Sequence, residues 1–150
     1  MTQFLFKEFV ETFEKFFTIP KNLNLSHSYF KWHDPYFQNF VIDFLKRLKP
    51  RHYNEGEFMI EELDEVLEML FVEKGSYYVG YEINKEKRMK LHFAPGTIVG
   101  GVNLITHRKA WHCYKCKFEI HGYAISRQDW VELQEEYPFL VNEVNKKLLF

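Results

Sequence analysis

The sequence predicts an α+β domain in which an antiparallel, jelly-roll-like β-roll is flanked by helices at both ends of the chain. Three observations carry this. Apolar residues recur at helical spacing up to about residue 50. Short β-like runs separated by turn residues then follow from Arg51 to Ile125, and helical spacing returns after Ser126. Evenly spaced strands between helical ends point to a sandwich or roll packed with its helices as one unit.

Composition narrows the class. The chain has 150 residues, 20 basic against 21 acidic side chains, a formal net charge of −1, and 46% hydrophobic residues with 16 Phe. That is enough apolar material for one ordinary core and too much for a disordered chain. Near-neutral charge argues against a nucleic-acid binder. Two cysteines cannot build a disulfide scaffold, so a reducing compartment is expected. Apolar runs fall well short of the roughly 20 residues that span a bilayer, and Met1 to Glu8 lacks a basic leader region. The polypeptide is therefore expected to be soluble.

Residues 4–17 place Phe6, Phe9, Phe13 and Phe16 at 3-4-3 spacing with charged residues between them, which predicts an amphipathic helix. Pro20 is expected to stop it, and Asn22, Asn24 and Ser26 read as a connector. Asp34-Pro35 reads as N-cap and first turn of a second helix. Its buried face would carry Phe37, Phe40, Val41, Phe44, Leu45 and Leu48, and Pro50 is expected to end it.

Strands are expected at Phe58–Ile60, Met69–Val72, Tyr77–Tyr81, Lys90–Phe93, Trp111–Phe118 and Tyr123–Ile125. Turn signals separate them at Asn54-Glu55-Gly56, Lys74-Gly75, Asn84-Lys85, Pro95-Gly96 and His121-Gly122. Ser126 reads as the N-cap of a helix through Trp130 and Leu133. Pro138 separates it from a last helix with Leu140, Val144 and Leu148 on one side.

The neutral total conceals two blocks. Residues 54–73 hold Glu55, Glu57, Glu61, Glu62, Asp64, Glu65, Glu68 and Glu73 with no Lys or Arg. Residues 87–118 hold Lys87, Arg88, Lys90, Arg108, Lys109, Lys115 and Lys117 with no Asp or Glu. Opposite solvated faces of a barrel explain this blandly. The sharper reading is that Gly96, Gly100, Gly101 and Arg108 face an anion, since bare backbone beside Arg suits phosphate.

The order of motifs resembles the cyclic-nucleotide-binding fold over roughly residues 30–150. Leu48 to Ile60 is similar to that family's opening turn and strands. Glu62-Leu63-Asp64-Glu65 followed by Leu70-Phe71-Val72-Glu73-Lys74-Gly75 resembles its E-G-D … Y-F-I-x-x-G signature, with Leu63 in place of Gly. Val99-Gly100-Gly101-Val102-Asn103-Leu104-Ile105 lies over the phosphate-binding cassette, F-G-E-(I/L)-(A/C)-L-L, and Arg108-Lys109-Ala110 over its closing R-x-A.

The resemblance implies a cyclic nucleotide, cAMP or cGMP, as ligand of Gly100, Gly101, Val102, Asn103, Arg108, Lys109 and Ala110, with no cofactor required. Two departures bear on binding. Gly101 stands where the family has the Glu that accepts from the ribose 2′-hydroxyl, and the cassette Gly lies about two residues closer to Arg108 than is usual. A lost charge-assisted hydrogen bond costs about 1.5–3 kcal/mol, or about ten- to a hundredfold in affinity. Bulky Trp111 is further expected to fill the pocket itself.

Residues 1–30 are similar to the helical linker ahead of this domain in cyclic-nucleotide-gated, hyperpolarisation-activated and ether-à-go-go cation channels, leaving 31–150 as the domain proper. This implies a regulatory region on the cytoplasmic side of a membrane. Its partners would be the other subunits of a channel tetramer, with the membrane reached only through the parent protein and no nucleic acid bound. The same fold without a ligand, acting in assembly, is the alternative.

Other chemistry has little support. Cys113-Tyr114-Lys115-Cys116 is a C-x-x-C that suggests zinc or redox work. Yet it falls in a predicted strand, where residues three apart point to opposite faces. The seven His show no ligand spacing, so no metal site is expected, and no hydrolase, Walker or paired-carboxylate motif marks a catalytic centre. The Phe stripe reads equally as core or as a docking face.

Overall fold

The computed structural model describes residues 8–9, 11–17 and 34–149. They fall into two compact units, one of helices from both chain ends, up to Leu48 and from Gln128, and one of β structure from Lys49 to Arg127. Phe6, Pro20, the connector Asn22 to Ser26, and Phe150 lie outside the described residues.

In the helical unit, Glu8, Phe9, Glu11 and Thr12 are helical and helix α1 covers Glu14–Phe17. Helix α2 runs Pro35–Arg47, and Asp34 caps it by accepting from the Tyr36 N–H at 2.9 Å. Two further helices, α3 (Gly101–Thr106) within the roll and α4 (Arg127–Glu136) directly after it, are described with the β unit. Helix α5, Pro138–Leu149, starts on a proline whose missing N–H costs nothing in a first turn.

The described part of the Phe stripe is core. Phe9, Phe13, Phe16 and Phe17 are buried. The Phe44 ring lies 6.0 Å from Phe9, 5.7 Å from Phe17, 6.2 Å from Phe40 and 6.2 Å from Trp130. Arg47 clamps this unit from outside, its Nη1 donating to Asp129 at 3.1 Å and Glu132 at 2.5 Å. Tyr137 donates to Asp43 at 2.5 Å and Trp130 Nε1 to Asn145 at 2.9 Å.

Helix α2 ends ahead of Pro50 rather than at it. The helix stops at Arg47, Leu48 is extended, and Pro50 lies within strand β1, Lys49–Tyr53. A proline pushes the residue before it out of the helical region, so the chain leaves the helix ahead of Pro50. An edge strand tolerates its missing donor, and among the described residues β1 pairs with β6 alone.

The β unit continues with β2, Phe58–Ile60; β3, Glu68–Ile83; β4, Glu86–Phe93; and β5, Ile98–Val99. Helix α3, Gly101–Thr106, precedes β6, Cys113–Ser126, and α4, Arg127–Glu136, begins immediately after it. The antiparallel order is β1-β6-β3-β4, with β2 also on β6 and β5 also on β3.

Two predicted turns prove to be bends inside long strands. Lys74-Gly75 lies within β3, where the register to β6 shifts between Val72, Lys74 and Ser76. Gly75 has φ +93°, and a Cβ there would come 2.2 Å from the Glu119 carbonyl oxygen. His121-Gly122 lies within β6, where a Cβ on Gly122 would come 2.3 Å from the Phe71 carbonyl oxygen. The glycines mark close backbone approach across bulges, which curl the two long strands into a roll. Asn84-Lys85 is a true turn, both residues having positive φ, as a two-residue hairpin requires. Leu70, Val72, Tyr77, Val99, Cys116, Ile120 and Ala124 fill the interior.

Candidate functional site

The cassette grows out of that interior. Strand β5 pairs with β3 through Leu70–Val99 and Phe71–Ile98, which anchors Val99 in the core. Gly100 then turns the chain into α3 with φ +85°. A Cβ on Gly100 would stand 2.9 Å from Val66 Cγ1 and 3.2 Å from the Glu68 carbonyl oxygen. Glycine therefore meets two demands at this point, a left-handed backbone and a tight approach.

Within α3, Gly101 and Leu104 are buried, and Val102 is 48% exposed. His107 ends α3 in the left-handed region. The Asn103 amide reaches forward, donating to the carbonyl oxygens of Arg108 at 3.2 Å and Lys109 at 3.0 Å. Ala110 is buried and locks the exit, its N–H donating to Asp64 at 2.9 Å while its carbonyl accepts from Leu63 at 2.7 Å. Leu63 holds a positive φ of 67°, which explains why the resembled motif favours glycine at its position.

The sequence-singled residues thus form one continuous loop and helix. Arg108 and Lys109 are exposed and neither side chain bonds to another described residue. A six-residue helix is about 9 Å long, so Gly100 and Gly101 at its start stand that far from Arg108 past its end. The guanidinium must fold back along α3 to meet an anion held at the glycines.

Trp111 does not fill the interior. It is 74% exposed, because the bonds that hold Ala110 inward leave the next side chain outside. Aromatic filling comes instead from Tyr77, stacked on Phe93 at 5.5 Å and 6.3 Å from Tyr114. Burial pushes the Tyr77 hydroxyl up to about 12, against the hydrogen bond it shares with Thr97 at 2.6 Å. The two charge blocks are partly joined, since Lys87 meets Glu61 at 2.6 Å and caps the Phe58 ring.

Cys113 and Cys116 are both buried and free. The Cys113 thiol faces Met89 at 3.8 Å, whereas the Cys116 thiol faces the Phe118 carbonyl at 3.1 Å. Burial raises both thiols above their usual range, the opposite of what a thiolate nucleophile or ligand needs.

A cluster with no motif in the sequence lies on the roll. His52 and Glu119, 67 residues apart, meet at 2.6 Å, and His121 lies 3.3 Å from the same Glu119 oxygen. Only the β1–β6 register, which sets His52 opposite His121, brings them together.

No protein-family model matches the sequence, and no curated protein matches it. Solved structures do. The chain is similar to a cyclic nucleotide-binding domain from Methylobacillus flagellatus KT at a TM-score of 0.74 and 19% identity, over 96% of this chain and 75% of that one. The fold is that of a cyclic nucleotide-binding domain. The Thermus thermophilus catabolite activator protein matches at 0.66 and 20% identity, over 80% of this chain and 55% of that one. The regulatory domain of Toxoplasma gondii PKA, crystallised with cAMP, matches at 0.70 and 11% identity, over 92% and 48%. The chain spans about half the length of these last two.

Proposed function

We propose that this domain is regulatory rather than catalytic and takes a cyclic nucleotide, cAMP or cGMP, at the Gly100–Ala110 cassette. The observation that carries the reading is the cassette itself. It pairs a glycine-led helix start with an Arg108 whose side chain no described residue engages. Backbone N–H groups of Gly101 and Val102 would face the cyclic phosphate, and Arg108 would supply the opposing charge. Binding would favour one arrangement of α4 and α5, which continue directly from β6.

The parent protein is proposed to be a cation channel carrying this domain on the cytoplasmic side of its membrane, beside the other subunits of a tetramer. The helices ahead of the roll support this, as does the resemblance of residues 1–30 to a channel linker. A second reading keeps the fold without a ligand, and Gly101 favours it, since no carboxylate stands there for the ribose.

Isothermal titration with cAMP and cGMP separates the two. The sensor reading expects saturable heat that Arg108→Ala removes. Silence at about 1 mM nucleotide, where binding would be worth no more than about 4 kcal/mol, leaves the ligand-free assembly domain.

A further inference from the structure

We propose that His52, Glu119 and His121 form a binding site for a divalent transition metal ion, of the zinc class, on the outer face of the β-roll. The three residues share one face. His52 and His121 are direct cross-strand partners, and Glu119 precedes His121 by the two-residue period of a strand. All three side chains are exposed, and their ligand atoms lie within 4.8 Å of one another.

The spacing suits tetrahedral coordination. Metal–ligand bonds of about 2.0–2.2 Å set tetrahedral donors about 3.3–3.5 Å apart. His121 Nε2 already stands 3.3 Å from Glu119 Oε1, while His52 Nε2 at 2.6 Å must open slightly. Rotation about side-chain torsions supplies that movement at an exposed site. The imidazole rings lie 4.7 Å apart at 38°, so both nitrogens can converge on one point beside the carboxylate.

Two imidazoles and a carboxylate are a borderline donor set that suits zinc, copper or nickel better than magnesium or calcium. The carboxylate offsets part of the charge of the ion. The frame is firm, because the Gly75 bulge packs β3 backbone against the Glu119 carbonyl. Beside the cluster an open pocket of about 210 Å³, lined partly by Glu73 and Tyr123, leaves room for water on the remaining coordination positions. Two cations lie near the cluster, Lys74, opposite His121 in the β3–β6 register, and Arg51, which lines the same pocket and is paired with Glu68 at 2.8 Å.

The site is independent of the cassette, so nucleotide binding and metal binding can fail separately. Titration of the whole 150-residue chain with zinc chloride is expected to saturate at one equivalent and to raise the melting temperature. Loss of an outer-sphere partner alone costs about 10–100-fold, so His52→Ala and His121→Ala should each weaken binding at least about tenfold. Glu119→Gln, which keeps shape and folding, should do the same and guards against a histidine variant that fails to fold. Cobalt should give weak d–d bands without intense thiolate charge transfer. No binding up to about 1 mM zinc, unchanged affinity in Glu119→Gln, or a thiolate band from Cys113 or Cys116 would each overturn the proposal.

Discussion

The side-chain amide of Asn103 donates to the carbonyl oxygen of Arg108 at 3.2 Å, tying the helix of the cassette to the segment that leaves it. A second bond from the same amide reaches Lys109. The turn at His107 is thereby closed, and the backbone that carries Arg108 is set by a residue five positions earlier.

Asn103→Ala removes both bonds from an exposed turn. The expected loss is about 1 kcal/mol of stability, with faster amide exchange confined to residues 101–110. Urea unfolding and hydrogen exchange measure the two. Unaltered exchange across the cassette would show that the turn holds without Asn103.

Gly101→Glu restores the carboxylate that the ribose lacks. Gly101 sits in the first turn of α3 without the positive φ of Gly100, so the backbone conformation admits a side chain, which must reach outward from a buried position. If the nucleotide lies as proposed, cAMP affinity should rise about ten- to a hundredfold. Equal titration curves for the variant and the parent would mean that position 101 does not face the sugar.

Phe44→Ala opens a cavity where Phe9, Phe17, Phe40 and Trp130 converge. A loss of about 3–5 kcal/mol is expected. Ile42→Ala on the same helix, at a side chain 46% exposed, should cost far less. Denaturant midpoints of the pair test whether this aromatic cluster is the centre of the helical unit.

Stability should fall in alkali. Burial holds Tyr77 neutral up to about 12 in the fold, whereas an unfolded tyrosine ionises near pH 10. The unfolded state therefore binds fewer protons between those values, and stability present below pH 10 drains away as pH climbs toward 12. Tyr77→Phe should flatten that slope in urea titrations at pH 8, 10 and 11. An equally steep decline in the variant would assign the alkaline loss to other groups.

Local pattern alone determined the outline of this protein. The Asp34-Pro35 cap, the Asn84-Lys85 hairpin, the break at Pro138 and the Phe stripe each express a preference carried by a few neighbouring residues. The ordered series of motifs likewise marked the cassette as residues 99–110. Tertiary structure decided what depends on distant partners. Whether Lys74-Gly75 and His121-Gly122 turn or merely bend is set by the opposing strand, which approaches too closely for a Cβ. Trp111 points outward because Ala110 is bonded inward to Leu63 and Asp64. The His52–Glu119–His121 cluster has no signature in the chain, since only the register of β1 on β6 brings its members within reach. The opening α+β assignment rests on periodicity, which is local, and the chemistry of the roll rests on register, which is not.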